Sequence, residues 1–246
     1  MKLTFFGTSH GHSEPNRYCT SVAFEHNGHI FFIDLGAPVE YLMTTKNVDF
    51  DAVEAYFITH MHADHVADLP TIIKDYDVYN KKSTAELFLP DENAVEPLKN
   101  WANAIHLSNN VYERLKINIV HSGLIYDKFG IKVTAIRTEH ISKDVPSFAY
   151  MVETDDGKRV LFTGDLARNH TDFPKIAKET QFNLIVSELV HISPIDTINE
   201  TMADVKTDML IFSHLGKYNI EKLETLDINL PFHFVVANDG FEYNVI

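Results

Sequence analysis

The stretch Phe57-Ile58-Thr59-His60-Met61-His62-Ala63-Asp64-His65 places three histidines and one aspartate within six positions, directly after an apolar, β-prone run at residues 53–58. Imidazole nitrogens and carboxylate oxygens are ligands that suit zinc and similar first-row divalent ions. In an extended or turning segment, residues two apart face the same side, so His60 and His62 can bind one ion together. Asp64 and His65 follow where the chain turns toward a helix and can address a second ion. Four solvated loop residues are the alternative, but this density of ligands behind a buried strand favours a metal site.

Length and composition predict a soluble globular protein. With 246 residues, the chain can bury one sizeable core, as one large domain or two modest ones. Hydrophobic residues make up 45% and charged residues 23% of the sequence, which is ordinary for this class. No apolar stretch approaches the roughly 18 residues that would cross a bilayer, and the N-terminus lacks the features of a signal peptide. Cys19 is the only cysteine, so a reducing cytoplasm is the expected compartment and no membrane partner is predicted.

The charge balance argues against a large nucleic-acid partner. Thirty-five acidic against 21 basic residues give a net charge of −14. Such a surface repels a polyphosphate backbone unless basic residues gather locally, and the pairs Lys81-Lys82 and Lys158-Arg159 are isolated. A small anionic substrate stays compatible with this charge, because bound divalent ions would dominate the field inside the site.

Turn chemistry and hydrophobic spacing predict the main elements. Asn27-Gly28 predicts a tight turn between strands at 20–25 and 29–33, and Asp155-Asp156-Gly157 joins a second hairpin formed by 147–153 and 159–162. Further strands are predicted at residues 2–6, 53–58, 86–89, 117–121, 131–137, 183–186, 209–212, 232–236 and 241–246. Helices are predicted at residues 37–45, 66–76, 92–106, 173–180, 197–205 and 218–226. The third of these helices contains the only tryptophan, Trp101, which is expected in the core.

Several apolar strands end shortly before a residue that can bind a metal. In order along the chain, Ile58 precedes His60, Ile136 precedes His140, Phe162 precedes Asp165, and Phe212 precedes His214. Strand ends that converge on one edge of a sheet are where rigid sites form. Strands interleaved with helices predict sheets that carry helices on their outer faces. Without a linker, a low-complexity tract or a short repeat, residues 1–246 are predicted to form one domain.

The spacing His-x-His-x-Asp-His at residues 60–65, followed by a His, a Gly-Asp and a last His on later strand ends, resembles the signature of the metallo-β-lactamase superfamily of metal-dependent hydrolases. The resemblance implies an α/β fold (α+β in some schemes), a four-layer αββα sandwich with two mixed sheets and the metals at one edge. It also implies one ion on His60, His62 and His140, a second ion on Asp64, His65 and His214, and Asp165 bridging the two.

Flanking stretches resemble the ribonuclease Z group and related small phosphodiesterases within that superfamily. These stretches are Phe6-Gly7-Thr8-Ser9, Asn16-Arg17 with Thr20-Ser21, residues 59–65, Val145-Pro146-Ser147-Phe148-Ala149-Tyr150, and Ser213-His214 with Tyr218. Only residues 141–164 separate His140 from Asp165, which leaves no room for the long arm by which tRNA-processing members hold tRNA. The chain therefore resembles a short member that acts on a smaller substrate. The resemblance to phosphodiesterases also suggests a homodimer.

Two residues are candidates for the chemical step. Two ions roughly 3.5–4 Å apart can hold a hydroxide between them, because metal binding lowers the pKa of water toward neutrality, and Asp64 can orient that nucleophile. A phosphoester also needs a proton for its leaving oxygen, and His191, which follows the strand at 183–186, is the candidate general acid or phosphate contact. A histidine that only packs beside the site is the alternative, and Glu188 is a candidate hydrogen-bond partner for a ligand imidazole.

Substrate contacts are expected from the loop after the first strand. His10 and Ser9 are the candidates, with His12 weaker, although loop histidines are commonly just solvated. Tyr18 and Tyr218 could line the pocket, but tyrosines more often pack with a hydrogen-bonded hydroxyl. The remaining histidines have no supporting context and are interpreted as structural: His26, His29, His106, His121, His170 and His233.

The sequence therefore predicts a dinuclear metal-dependent hydrolase, a phosphodiesterase that cleaves a small nucleotide-like or cyclic phosphate through a metal-bridging hydroxide. Two Zn²⁺ ions fit the His/Asp set, although Mn²⁺, Fe²⁺ and Ni²⁺ accept the same ligands. The alternatives are an RNA-processing nuclease of ribonuclease Z type, a carbon-centred hydrolase of lactones, thioesters or β-lactams, and a catalytically inert metal-binding protein. An unbroken ligand set argues against the last of these.

Overall fold

Two seven-stranded sheets face each other in the computed structural model of the protein, which describes residues 1–246. The strands are β1 (Lys2–Gly7), β2 (Ser21–His26), β3 (His29–Ile33), β4 (Val53–Phe57), β5 (Ala85–Leu89), β6 (Leu115–Ile119), β7 (Gly123–Lys128), β8 (Ile131–Thr138), β9 (Ser147–Thr154), β10 (Arg159–Phe162), β11 (Phe182–Ser187), β12 (Thr207–Phe212), β13 (His233–Val236) and β14 (Glu242–Asn244). The helices are α1 (Val39–Thr45), α2 (Ala63–Val66), α3 (Leu69–Lys74), α4 (Val95–Ala104), α5 (Ile176–Glu179), α6 (Ile198–Met202) and α7 (Lys217–Leu223).

Both sheets are mixed. The first has the order β14-β1-β2-β3-β4-β5-β6, with β3 to β6 parallel and the remaining pairs antiparallel. The second has the order β13-β12-β11-β10-β9-β8-β7, with β10 to β13 parallel and β7 to β10 antiparallel. Because the carboxyl ends of parallel strands meet at one edge, the loops that follow β3, β4, β10, β11 and β12 start from a common side of the sandwich.

An apolar core lies between the sheets. Phe24 of the first sheet stacks on Phe162 of the second, with ring centroids 5.7 Å apart, and on Phe31, 5.0 Å away. Each such buried aromatic side chain contributes about 1.5–3 kcal/mol to the free energy of folding. Two further apolar clusters cover the outer faces, one under α3 and α4 and one under α5, α6 and α7. The predicted αββα layering and the α/β class are confirmed.

The Asn27-Gly28 turn forms as predicted. It joins β2 and β3, and both residues adopt positive φ, 52° and 82°, which is the backbone conformation of a primed hairpin turn. The second predicted hairpin also forms, as the antiparallel pair β9 and β10.

Three element predictions were wrong or incomplete. The helix predicted at residues 66–76 is broken into α2 and α3, because Pro70 lies in the first turn of a new helix rather than inside a continuous one. Strand β7 was not predicted, since only Tyr126 along it is buried and the apolar alternation is weak. Trp101 is not in the core: α4 packs through Ala102 and neighbouring apolar residues, and Trp101, off that stripe, is 61% exposed.

Two hydrogen bonds join the sheets beside the shared edge. The backbone N–H of Phe148 donates to the carbonyl of Thr59 at 2.9 Å, and the Tyr150 hydroxyl donates to the carbonyl of Ile58 at 2.6 Å. These bonds fix the end of β4 against β9, so the loop that follows β4 has a defined position relative to the second sheet.

Candidate metal centre

Seven His and Asp side chains meet at this edge, from the loop after β4 and from the ends of β8, β10 and β12. The first group is formed by three imidazoles. His60 Nε2 lies 2.9 Å from His62 Nδ1, and His140 Nε2 lies 3.2 Å from the same His62 nitrogen. The second group is formed by His65, His214 and Asp64. His214 Nε2 lies 3.3 Å from His65 Nε2 and 3.2 Å from Asp64 Oδ2.

Asp165 lies between the two groups. Its Oδ2 faces the first group, 3.9 Å from His60 Nε2 and 3.6 Å from His140 Nε2. Its Oδ1 faces the second group, 3.4 Å from His65 Nε2 and 3.3 Å from His214 Nε2. The structure thus brings all seven predicted residues together in the arrangement that the family resemblance implies. Their role as ligands stays a prediction.

The donor set fits two divalent cations. Two imidazole nitrogens, one from His60 and one from His140, both point at the single His62 Nδ1, which can share a proton with only one of them. At least one of these two nitrogen pairs therefore lacks a good hydrogen bond, and a cation placed between the nitrogens would satisfy their lone pairs. The buried Asp165 Oδ1 makes no hydrogen bond of good geometry, which is the second sign of a missing positive partner.

The protonation states of His60, His140 and the two carboxylates suit metal binding as well. Burial and the neighbouring His65 lower the pKa of His60, and burial also lowers that of His140, so both imidazoles are neutral and offer lone pairs. Burial alone would raise the pKa of Asp64, but the hydrogen bond from His214 and the charges of His65 and His214 lower it below its usual range. Nearby imidazoles likewise hold the pKa of the buried Asp165 well down, so both carboxylates are anionic.

Asp34 is a site residue that the sequence analysis missed. It follows β3, where its carboxylate accepts hydrogen bonds from Thr59 N at 2.7 Å and from His65 Nδ1 at 2.7 Å. Burial opposes protonation of His65, but Asp165 and Asp34 outweigh it and raise the pKa of this imidazole well above its ordinary value. The sequence signal that could have identified Asp34 is an aspartate directly after the apolar strand at residues 29–33.

His191 lies against the first group. Its ring centroid is 4.7 Å from that of His140, and its Nδ1 donates to Glu188 Oε1 at 3.0 Å. Burial opposes its protonation, yet the hydrogen bond to Glu188 and the charge of that residue raise the pKa of His191. Because Nδ1 is engaged, Nε2 is the nitrogen left for a substrate or an ion, and with His140 and Asp165 it could also complete a metal site.

Glu188 holds two histidines. Besides His191, its Oε1 lies 2.9 Å from Nε2 of the buried His170, which had been interpreted as structural without context. Burial would raise the pKa of Glu188, but the charge of His170 and the hydrogen bonds from both histidines lower it to about 2. Glu188 therefore contacts His191 rather than any of the seven ligand candidates, as a fixed anion behind the imidazole.

The loop after β1 borders the centre, but its residues differ in how close they lie to the ligand candidates. Gly11 N donates to Asp64 Oδ2 at 2.7 Å, and the His10 ring lies 6.3 Å from that of His214. Ser9 is fully buried and its hydroxyl donates to the His12 carbonyl at 2.8 Å, so the structure does not bring Ser9 to the open side of the site. Ser9 stabilises the loop instead. His12 is exposed, with its ring 5.5 Å from that of His10.

The family model for anti-Pycsar protein Apyc1 matches residues 1–219 of this chain. The chain belongs to the anti-Pycsar protein Apyc1 family. Among curated proteins, it is similar to ribonuclease Z from Methanocaldococcus jannaschii, with 29% identity over 154 residues, 61% of this chain and 47% of that protein. The chain spans about half the length of the curated relatives that it matches.

Solved structures show the same fold for this Apyc1-family chain. The metallo-β-lactamase fold protein YhfI from Bacillus subtilis superposes with a TM-score of 0.76 at 17% identity and covers 98% of each chain. The short form of human tRNase Z superposes with a TM-score of 0.73 at 15% identity and covers 100% of each chain. The predicted resemblance to the metallo-β-lactamase superfamily and to ribonuclease Z-like proteins is confirmed. No helix in the chain is both long enough and apolar enough to span a bilayer.

Proposed function

We propose that this chain is a dinuclear metal-dependent hydrolase that cleaves a small nucleotide-like or cyclic phosphodiester. The observation that carries the proposal is the meeting of two groups of imidazole and carboxylate side chains on either side of Asp165. His60, His62 and His140 would hold one ion, and Asp64, His65 and His214 the other. Zinc is the proposed ion, because the set contains only imidazole and carboxylate ligands.

The protein's own residues have separate tasks around that pair. Bound divalent cations supply a lowered water pKa and neutralise negative charge on a phosphoryl group. Asp64 is held in place by Gly11 N, so its carboxylate has a fixed direction. His191 is fixed through Nδ1 by Glu188, which leaves Nε2 to deliver a proton to the leaving oxygen or to contact the phosphate.

Several observations support a small phosphodiester over the other substrates. The relative from M. jannaschii is named a ribonuclease, an enzyme that cleaves phosphodiester bonds. The net charge of −14 disfavours a long polyanion. Between His140 and Asp165 the chain forms only a short loop and the hairpin β9–β10, with no protruding arm. The core shared by the two sheets also supports the proposal that residues 1–246 form one domain.

The test is hydrolysis of bis-p-nitrophenyl phosphate by protein that has been stripped with a chelator and reloaded with Zn²⁺ or Mn²⁺. We expect activity to disappear on stripping and to return with the metal. His65→Ala should lower kcat/KM by at least about 100-fold, because an ion that loses one ligand is weakly held. His233→Ala, an exposed histidine at the start of β13, is the matched control and should keep full activity. Full activity in His65→Ala would contradict the proposal.

The same preparation separates the alternatives. Turnover of a lactone, a thioester or a β-lactam, without turnover of the diester, would favour a carbon-centred hydrolase. Binding of RNA in a gel shift at low salt that disappears at high salt would favour an RNA-processing nuclease. Stoichiometric metal without any turnover would favour an inert metal-binding protein. The proposed homodimer is tested by light scattering, and Cys19 as the lone thiol is compatible with the proposed cytoplasmic location.

A further inference from the structure

A cavity of about 460 Å³ opens next to the metal centre, between the segment after Glu188 and helix α7. Val190 and Ile192, which flank His191 in the chain, form part of its wall. His10 forms another part, and its ring lies 6.3 Å from that of the ligand candidate His214. A ligand in this cavity would therefore lie beside the metal centre, and the volume is within the range of small-molecule pockets.

The cavity is lined by an exposed aromatic ring. Tyr218 leaves 65% of its surface open, although tyrosines usually bury most of their ring. Lys222 Nζ lies 5.9 Å from the centroid of this ring, and the large exposed fraction of the side chain leaves ring surface to which a planar group can bind. The buried Ile192 and Ile195 provide an apolar wall, and the exposed Asp196 provides a hydrogen-bond acceptor.

We propose that this cavity binds the base of the nucleotide-like substrate, with the base stacked on Tyr218. The inference rests on the proposed function and names the part of the substrate that does not react. An aromatic face can stack on any base, because every base has a π-face. Lys222 and Asp196 offer a donor and an acceptor for the polar edges of that base. A bare phosphate would be bound by the metal centre alone and would gain nothing from the cavity.

A second tyrosine provides a matched control. Tyr79 is 69% exposed and lies under Lys74, whose Nζ is 5.4 Å from its ring centroid. The pair therefore has the same chemistry as Tyr218 and Lys222. It lies at the turn after α3, on the outside of the first sheet, and is not part of the cavity beside His191. Truncation of either tyrosine removes the same atoms from the surface.

The experiment measures binding by isothermal titration calorimetry to the full-length, metal-loaded protein. The ligands are adenosine 5′-monophosphate, cytidine 5′-monophosphate and ribose 5-phosphate, which lacks a base. We expect the wild type to bind the nucleotides about 10-fold more tightly than ribose 5-phosphate, and Tyr218→Ala to abolish that difference. Tyr218→Phe and Tyr79→Ala should retain it. Thermal unfolding of each variant checks that it is folded.

Three results would overturn the inference: equal wild-type affinity for nucleotides and ribose 5-phosphate, an unchanged preference in Tyr218→Ala, or an equal loss for all three ligands in that variant. The last result would mean that Tyr218 only supports the loop. Failure of the proposed function is a different outcome. It appears as absent hydrolysis of bis-p-nitrophenyl phosphate, while the binding preference and its loss in Tyr218→Ala still support a base site.

Discussion

At the scale of single residues, the candidate metal centre is positioned by a carboxylate outside the set of ligand candidates. The Asp34 side chain is buried, with only 3% of its surface exposed. Its carboxylate accepts hydrogen bonds from Thr59 N, just after β4, and from the ring of His65. A carboxylate on the far nitrogen of a ligand imidazole fixes the ring and raises its basicity. Asp34 therefore determines which nitrogen of His65 faces the centre.

Asp34→Asn should lower zinc affinity by about 10–100-fold while the fold is retained, because the amide keeps the shape but loses the charge that orients His65. The measurement is competition for Zn²⁺ against a chromophoric chelator. Asp227→Asn, an exposed carboxylate in the segment after α7, is the control and should bind zinc like the wild type. Unchanged affinity in Asp34→Asn would mean that His65 is oriented by packing alone.

The lowered pKa of Glu188 should make the stability of the protein depend on pH, and the direction of this dependence can be derived. Its folded pKa of about 2 lies below the ordinary value of 4.5, so the stability it contributes is fully present above about pH 4.5. That contribution is lost as the pH falls toward 2. Glu188→Gln should therefore lower the melting temperature by roughly 5 °C at pH 6, and the gap to the wild type should narrow as the pH approaches 3.

Calorimetric melts of both proteins between pH 3 and 6 test this. A gap that stays constant over the whole range would show that the loss in Glu188→Gln comes from packing and not from charge. Hydrolysis by the variant should also fall by about 10-fold or more, since His191 loses its anchor. Its metal content should match that of the wild type, because Glu188 contacts none of the seven ligand candidates.

At the scale of elements, much of the site followed from strand ends. The run before His60 and the apolar runs before Asp165 and His214 each have a recognisable β pattern, so the sequence alone predicts that these three side chains lie at one edge. His140 was located in the same way. The alternation of strands and helices predicted sheets with helices on their outer faces, whereas the four-layer α/β class came from the resemblance to the metallo-β-lactamase superfamily. The Asn27-Gly28 turn followed from its need for positive φ.

What could not be predicted were contacts between segments distant in the chain. Nothing in the sequence around Asp34 indicates that His65, 31 positions later, will donate to it. His170 and Glu188 likewise become neighbours only when two loops pack together. The prediction that Trp101 is buried was wrong for a local reason. Its size suggested burial, but its position on α4, away from the apolar face, leaves it exposed.

One glycine controls how closely two elements approach. A Cβ on Gly36 would lie 1.7 Å from the carbonyl oxygen of Asp64, so the segment after β3 can pass the segment that follows β4 only where it has no side chain. Gly36→Ala should destabilise the fold by about 3 kcal/mol or more and weaken metal binding, since the loop that carries Asp64 must shift.

Thermal unfolding and zinc competition measure both effects. Gly157→Ala is the comparison, at a turn where an added methyl meets nothing within 4 Å but the φ is +86°. That variant should lose only about 1 kcal/mol, the ordinary cost of a left-handed non-glycine residue, and should bind zinc normally. Equal losses in the two variants would contradict a role for close approach at Gly36.

At the scale of the whole molecule, the ligand candidates are divided between the two sheets. Residues 60–65 follow β4 in the first sheet, whereas His140, Asp165 and His214 follow strands of the second. Ions bound between them would connect the sheets and would stabilise only the folded state. An ion at 100 times its dissociation constant adds about 2.7 kcal/mol to the free energy of unfolding.

Metal-loaded protein should therefore melt about 5–10 °C above chelator-treated protein. Differential scanning calorimetry across a range of free Zn²⁺ tests this, because the melting temperature should rise with the logarithm of the free ion concentration. His140→Ala should lose most of the shift and His233→Ala none of it. A melting temperature independent of zinc in the wild type would contradict a metal centre that spans both sheets.

The stacking of Phe24 on Phe162 has a consequence for how substitutions far from the centre are judged. The thickness of that aromatic layer sets the separation of the two sheets, and with it the gap across which the imidazoles must reach. Zinc affinity should therefore report changes in the spacing between the two sheets. Phe24→Leu leaves every ligand candidate intact but makes the layer between the sheets thinner. This variant should bind zinc more weakly than the wild type even while both sheets keep their hydrogen bonds.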